Sequence, residues 1–171
     1  MNIIKYPARE EWKSIVERPH LDVSQLNATV KEVLDKVRNN GDQAVIEYEK
    51  AFDHVELHNL AVTEAEMEEA EKLTSKELKD ALVLAHENIA LFHHSQKFTA
   101  SKVETRPGVT CWQKSIPIQK VGLYIPGGTA PLFSTVLMLA TPAKIAGCSE
   151  IVLCTPPNRE GKVNPAILIA A

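Results

Sequence analysis

Apolar residues in the first hundred positions recur at helical spacing, three and four residues apart. One predicted helix has an apolar face formed by Val30, Val33, Leu34 and Val37. The longest predicted helix runs from about Lys76 to about His94, with an apolar face formed by Leu78, Leu82, Ala85, Ile89 and Phe92. Because the residues of the second set share one side of the longest helix, we expect that face to be buried. The pattern predicts four or five helices before residue 100.

Residues that cap helices mark where these elements begin and end. Gly41 suits a C-terminal cap, and Asp42 can then cap a short following helix. Two segments, Thr63-Glu-Ala-Glu66 and Thr74-Ser-Lys-Glu77, match the capping box, in which a hydroxyl and a carboxylate satisfy each other's backbone N–H groups. The segment from Leu57 to Val62 is predicted to be a short strand.

The hydrophobic period shortens after about residue 100, where β-branched runs and most of the prolines and glycines occur. Val103 to Gln113 predicts a hairpin with Pro107-Gly108 as its turn. Ile116 to Gln119 predicts a further short strand, which Pro117 limits because proline cannot donate a ladder hydrogen bond. The composition therefore predicts a helical region at 1–100 and an α/β region at 101–171.

Residues 120–154 read as a strand, a turn, a helix and a second strand. The predicted elements are a strand at Lys120–Ile125, a helix from about Pro131 to Ala146, a strand at Glu150–Cys154 and a final helix capped by Asn164. Ligands of parallel α/β sheets bind at the carboxyl edge of the strands, where this turn would lie. The expected fold class is therefore α/β, with the beginning of a parallel-sheet, Rossmann-like domain.

Three features of this turn suit a ligand. Gly127 and Gly128 let a ligand approach the backbone, and Tyr124 can place its ring and hydroxyl at the edge. The following helix N-terminus suits a phosphate or another anion. The turn lacks the G-x-G-x-x-G fingerprint of dinucleotide sites. The residues alone leave two interpretations open: a nucleotide or phosphate site, or a turn that needs glycine for tight packing and a half-buried strand tyrosine whose hydroxyl is hydrogen-bonded.

Composition narrows the class of protein. Apolar residues make up 44% of the 171 residues, the net charge is −3 and both signs of charge are interspersed. This balance argues against a nucleic-acid or anionic-membrane surface. No apolar run is long enough for a membrane helix, and no signal-peptide core follows the N-terminus, so we expect a cytoplasmic protein. The last helix stops after about two turns without a terminating signal, so we expect the chain to be part of a longer protein.

The three cysteines have no partner at metal-ligand spacing. Cys111, Cys148 and Cys154 form no C-x-x-C pair, and their odd number predicts free thiols. Each could be a reactive nucleophile or a buried, inert thiol, and buried thiols are the commoner case.

Longer motifs resemble one enzyme family. The run from Val121 to Cys148, VGLYIPGGTAPLFSTVLMLATPAKIAGC, is similar to the segment that marks histidinol dehydrogenases. Its continuation Ile151–Pro157 and the upstream stretch Val103–Cys111 fit the same family, and the resemblance extends through the helical region.

The resemblance implies a zinc- and NAD-dependent oxidoreductase of histidine biosynthesis. The family converts L-histidinol through L-histidinaldehyde to L-histidine, with NAD accepting each hydride, and works as a homodimer. It implies that Tyr124 contacts NAD and that Pro126 and Gly127 are secondary contacts. The zinc ligands and the Glu-His proton-transfer pair of the family have no counterpart in residues 1–171, so we expect this chain alone to be inactive.

Two other classes stay open. The isolated chain could be a non-catalytic dimerisation or nucleotide-binding module. An aldehyde-dehydrogenase-like enzyme would need a catalytic cysteine in a late motif, and neither Cys111 nor Cys148 has that setting.

Overall fold

The computed structural model describes residues 3–18, 24–127 and 130–171. The chain forms two compact units, Met1–Val45 and Ile46–Ala171. The first unit contains a 3-10 turn and two helices, with the start of a third: Arg9–Glu11, α1 (Trp12–Val16), α2 (Ser24–Asn40) and α3 (Asp42–Tyr48). The second unit continues α3 into a π-helical turn, Glu49–Asp53, and then contains α4 (Glu64–Leu73), α5 (Lys76–Ser95), β1 (Lys102–Arg106), β2 (Val109–Trp112), β3 (Lys120–Tyr124), α6 (Phe133–Ala146), β4 (Glu150–Cys154) and α7 (Pro165–Ala170).

In the first unit, Gly41 joins α2 to α3. Its φ is +56°, and its N–H donates to the Val37 carbonyl over 2.8 Å, which confirms the predicted C-terminal cap. The Gly41 carbonyl in turn accepts from Ala44 N–H at 3.0 Å. Gly41 therefore occupies the capping position of α3, and the prediction that Asp42 caps this helix is wrong by one residue. Leu34, on the apolar face of α2, is 59% exposed.

One of the two predicted capping boxes is present. At the start of α4, Thr63 Oγ1 accepts from Glu66 N–H, and the Glu66 carboxylate accepts from Thr63 N–H at 2.8 Å. The second box is wrong by one residue, since Ser75 rather than Thr74 caps α5, accepting from Leu78 N–H at 3.2 Å. Thr74 is buried and ends α4 instead, donating its N–H to the Ala70 carbonyl.

The predicted face of α5 is largely covered. Leu82 is 6% exposed, and three further members are half-buried: Leu78, Ala85 and Ile89. Phe92, near the end of the helix, is 62% exposed, so the predicted burial is wrong there.

Two predicted strands are absent from the described part of the chain. The segment 57–62 is a loop because Asn59 forms an Asx turn, accepting from Ala61 N–H at 3.1 Å and donating to the Ala61 carbonyl at 3.0 Å. The segment 116–119 is also a loop, since Pro117 has no N–H. The Gln119 carbonyl accepts from Ser149 N–H and Glu150 N–H, which ties this loop to the start of β4.

The predicted hairpin is present. Strands β1 and β2 pair antiparallel, and Gly108 adopts a φ of +79° in the turn between them. The Glu104 carboxylate accepts from Gly108 N–H at 2.8 Å, and the ladder has an irregularity between Glu104 and Arg106. All residues of both strands are exposed.

The core of the second unit lies where β3, α6 and α7 meet. Strands β3 and β4 pair in parallel. Ile125, Val136 and Ile167 form the buried cluster. Half-buried apolar residues pack around it: Leu132, Leu153, Val163 and Ala170. Because α6 connects two parallel strands, the expected α/β fold class is confirmed. The change of composition near residue 100 falls within this second unit, and the assignment of residues 101–171 to an NAD-binding domain stays a prediction.

The ends of the last two helices follow the sequence closely. Helix α6 begins at Phe133, two residues later than predicted, because Leu132 packs against the core in a non-helical conformation with φ −91° and ψ 50°. Asn164 caps α7 as predicted, accepting from Ala166 N–H at 2.9 Å, and Pro165 occupies the first helical position. Among the helices of the described residues, none combines the length and apolarity needed to span a bilayer.

Candidate functional site at the carboxyl edge of the parallel strands

Strands β3 and β4 end side by side. Their register pairs Lys120 with Glu150 at one end and Tyr124 with Cys154 at the other. The chain therefore leaves both strands at the same edge, and the turn after β3 lies next to the loop after β4. Ile125 N–H donates to the Cys154 carbonyl at 2.9 Å, which extends the pairing one residue beyond β3.

The two faces of this strand pair differ in exposure. Val121, Leu123, Ile151 and Leu153 lie on the half-buried face. Gly122, Tyr124, Val152 and Cys154 lie on the exposed face. The near-continuous apolar sequence of β4 is typical of a parallel strand covered on both faces, whereas the described residues cover one face.

Tyr124 stands at the end of the exposed face, and its side chain is 64% exposed. The second interpretation of the sequence included a half-buried strand tyrosine, whereas Tyr124 is exposed in this chain. The ring lies at the sheet edge, and its contact with a ligand stays a prediction.

The turn after β3 is anchored in the core and then opens to solvent. Ile125 is completely buried, whereas Pro126 and Gly127 are exposed. Tyr124, Pro126 and Gly127 thus lie together at the carboxyl edge. Gly128, the second predicted turn glycine, lies outside the described residues.

Gly127 packs closely against the neighbouring loop. A Cβ atom added to Gly127 would lie 2.6 Å from Pro156 Cγ, a distance that real Cβ atoms do not tolerate. Glycine is therefore required here by tight packing, as the second interpretation of the turn expected, and a contact of Gly127 with a ligand stays a prediction. Sequence reasoning missed Pro156 as a site residue. Its signal was its position two residues after a parallel strand, which places it at the same edge as the turn.

Helix α6 begins six residues after Gly127. Leu132 occupies the capping position and has an apolar side chain, which cannot accept a hydrogen bond. The first N–H groups of a helix have no carbonyl partner within the helix, and the helix dipole makes this end positive. Ser134 is exposed and Thr135 is half-buried in this first turn. The N-terminal end of α6 is therefore suited to an anionic group.

The cysteines and acidic residues add no metal site to this edge. Cys111, Cys148 and Cys154 are free thiols, as predicted, but Cys111 and Cys154 are exposed, so the expectation of buried thiols is wrong for them. Both belong to strands that have an uncovered face. Within residues 3–18, 24–127 and 130–171, no three His, Cys, Asp or Glu side chains gather in a metal-binding group.

A cavity of about 520 Å³ lies on the half-buried side of the strand pair. Leu123, Leu153 and Thr141 contribute to its wall. Neither Tyr124 nor the turn lines it, so the candidate site is the open edge and not this cavity.

The parallel strand pair and the positions of Tyr124 and the turn define the class of protein. It is an α/β protein whose candidate ligand site is the carboxyl edge of a parallel sheet.

A family model for histidinol dehydrogenase matches residues 16–171. Histidinol dehydrogenase from Bacteroides thetaiotaomicron is 61% identical over 171 residues, covering 100% of this chain and 40% of the relative. Histidinol dehydrogenase from Vibrio vulnificus strain CMCP6 is 54% identical over 145 residues, covering 84% of this chain and 34% of the relative.

Solved structures agree with the sequence comparison. The crystal structure of histidinol dehydrogenase from Elizabethkingia anophelis superimposes with a TM-score of 0.92 at 46% identity, covering 96% of this chain and 38% of that one. The chain belongs to the histidinol dehydrogenase family, as the resemblance in its sequence indicated. It spans about 40% of the length of the curated relatives it matches.

Proposed function

We propose that this chain is the N-terminal part of an enzyme that oxidises L-histidinol through L-histidinaldehyde to L-histidine, and that it supplies part of the NAD site. The family assignment supports the reaction. The position of Tyr124, exposed at the carboxyl edge beside the turn and the α6 N-terminus, is the single observation that carries the NAD site.

The residues at this edge fit a dinucleotide. In this proposal Tyr124 contacts NAD with its ring and hydroxyl, and Pro126 and Gly127 contact it secondarily. The uncapped N–H groups at the start of α6 suit a phosphate of the cofactor. When bound, NAD accepts the hydride released at each oxidation. The role of this chain is to bind and orient that cofactor.

The described residues do not fit a zinc site, because they contain no group of three suitable ligands. No step of the reaction is therefore assigned here to a metal. In this proposal, the zinc ligands and the proton-transfer pair lie in the part of the relatives' sequence that this chain does not match. The homodimer and the cytoplasmic location expected from the sequence stay predictions.

The proposal is tested by NAD reduction with L-histidinol in a full-length protein that contains this sequence, with zinc added. We expect turnover in the unaltered protein, and we expect Tyr124→Ala to raise the KM for NAD about tenfold, because a stacking and hydrogen-bonding contact of about 1.4 kcal/mol is removed. Tyr124→Phe should give a smaller increase, since it retains the ring.

Val152→Ala is the matched control for this experiment. Val152 lies on the same face of the strand pair but two residues before the end of β4, away from the proposed NAD contacts. Its KM for NAD should stay within about twofold of the unaltered protein. Absence of L-histidinol oxidation would contradict the proposed reaction. Equal effects of Tyr124→Ala and Val152→Ala would contradict the proposed NAD contact.

A further inference from the structure

The contact between Gly127 and Pro156 joins the two loops that leave the carboxyl edge. The three side-chain atoms nearest to an added Gly127 Cβ all belong to Pro156: Cγ at 2.6 Å, Cβ at 3.6 Å and Cδ at 3.8 Å. We propose that Pro156 is a positioning residue, whose ring supports the Gly127 backbone and so fixes the turn that carries the NAD contacts. This inference rests on the proposed NAD site.

A proline is suited to this role because it cannot move away. Its ring fixes φ near −65° and leaves no side-chain rotation. Pro156 is also half-buried, with a further proline after it at Pro157. A flexible side chain could yield to a new Cβ on Gly127, but the Pro156 ring yields only if one of the two loops shifts.

The turn is held on both sides of this contact. Before it, Ile125 is completely buried and its N–H is bonded to the Cys154 carbonyl at 2.9 Å. After it, Val136 of α6 is completely buried in the same cluster. Gly127 lies in the segment between these two anchors. Pro126 and the start of α6, both proposed to face NAD, lie within that segment.

The inference is tested by a double-mutant cycle in the full-length protein, with NAD affinity measured by isothermal titration and by KM. Gly127→Ala should weaken NAD binding about tenfold, because the turn must shift to accommodate the new Cβ. Pro156→Ala removes Cγ and Cδ and should by itself weaken NAD binding about twofold, because the Gly127 backbone loses part of its support. In the double variant the remaining Cβ lies at 3.6 Å, an ordinary contact, and NAD affinity should return to within about threefold of Pro156→Ala alone.

Pro157→Ala is the matched control, because it removes the same atoms and the same constraint on φ one residue further along. Gly127→Ala combined with Pro157→Ala should not regain NAD affinity. If Gly127→Ala alone fails to fold, the double variant with Pro156→Ala should fold and bind NAD, and its failure to bind would overturn the proposal.

The outcomes separate this inference from the proposed function. An unaltered protein that does not bind NAD would overturn both. An unaltered protein that binds NAD, with Gly127→Ala equally tight, would overturn the positioning role alone. Equal rescue by Pro156→Ala and Pro157→Ala would also overturn it, since the contact would then not be specific to Pro156.

Discussion

At the scale of single residues, Glu66 shows how a local hydrogen bond makes stability depend on pH. Its carboxylate accepts from the backbone N–H of Thr63 and from the Thr63 hydroxyl, each at 2.8 Å. These bonds lower the pKa of Glu66 below its ordinary value, with the backbone bond as the larger cause. A lowered pKa in the folded state means that ionised Glu66 stabilises the fold above pH 4.5, and that this contribution is lost as the pH falls through the folded pKa.

The substitution Glu66→Gln should therefore reduce stability at neutral pH and make no difference in acid, where Glu66 is itself neutral. The amide still accepts a hydrogen bond, so the substitution isolates the charge. Urea denaturation at a series of pH values measures the difference in free energy of unfolding. Glu68→Gln, outside the capping box on the same helix, is the control. A difference that persisted undiminished in acid would contradict the assignment.

The residues of the candidate site differ in how far sequence could predict them. Tyr124, Pro126 and Gly127 lie close together in sequence around one turn, so the strand pattern and the family resemblance locate them together. Pro156 lies 29 positions after Gly127, and its contact depends on the register that aligns Tyr124 with Cys154. Hydrophobic period predicts that a strand exists, but it does not fix that register.

At the scale of elements, the core depends on one residue from each of three segments. Ile125 follows β3, Val136 belongs to α6 and Ile167 to α7, and the first two are completely buried. Ile125→Ala should lower the free energy of unfolding by about 2–5 kcal/mol, because it removes buried methyl groups and leaves a cavity. Chemical denaturation of the 171-residue chain measures this loss.

Ile118→Ala is the matched control, because Ile118 lies in a loop and is 71% exposed. Its effect should stay within about 0.5 kcal/mol. An equally small loss for Ile125→Ala would mean that the cluster of β3, α6 and α7 does not form in solution.

Elements with strong local signals were predictable, and those decided by tertiary contacts were not. The extent of α5 and the cap of α7 follow from hydrophobic period and capping residues. The loop at 116–119 has the composition of a strand, yet Gln119 bonds to the start of β4. Thr74 fits a capping box by sequence, but its burial makes it the end of α4 and leaves Ser75 as the cap. In the first case a hydrogen bond to a segment distant in sequence outweighed a local preference. In the second case the burial of Thr74 did.

At the scale of the whole molecule, the chain leaves an unusually large surface uncovered. Its accessible surface is 14135 Å². Two separate compact bodies of 45 and 126 residues would expose about 9,800 Å². The accessible surface of the chain exceeds this sum for two separate bodies, so the excess does not depend on how the two units are arranged. The exposed surface includes apolar positions such as Val152, Ile116 and Leu91. The parallel strand pair has one open face, which is a further sign of uncovered surface because parallel sheets are normally covered on both faces.

We therefore expect the 171-residue chain on its own to bind the dye ANS strongly and to self-associate at micromolar concentration, because exposed apolar patches of this extent favour association. Light scattering gives the mass and ANS fluorescence reports the exposed surface. A full-length protein containing this chain should bind much less dye, since the additional sequence of the relatives is available to cover these faces. Val152→Lys should reduce self-association if the open sheet face contributes to it. A compact monomer that binds no dye would contradict this expectation, and would also remove the basis for treating the isolated chain as a dimerisation module.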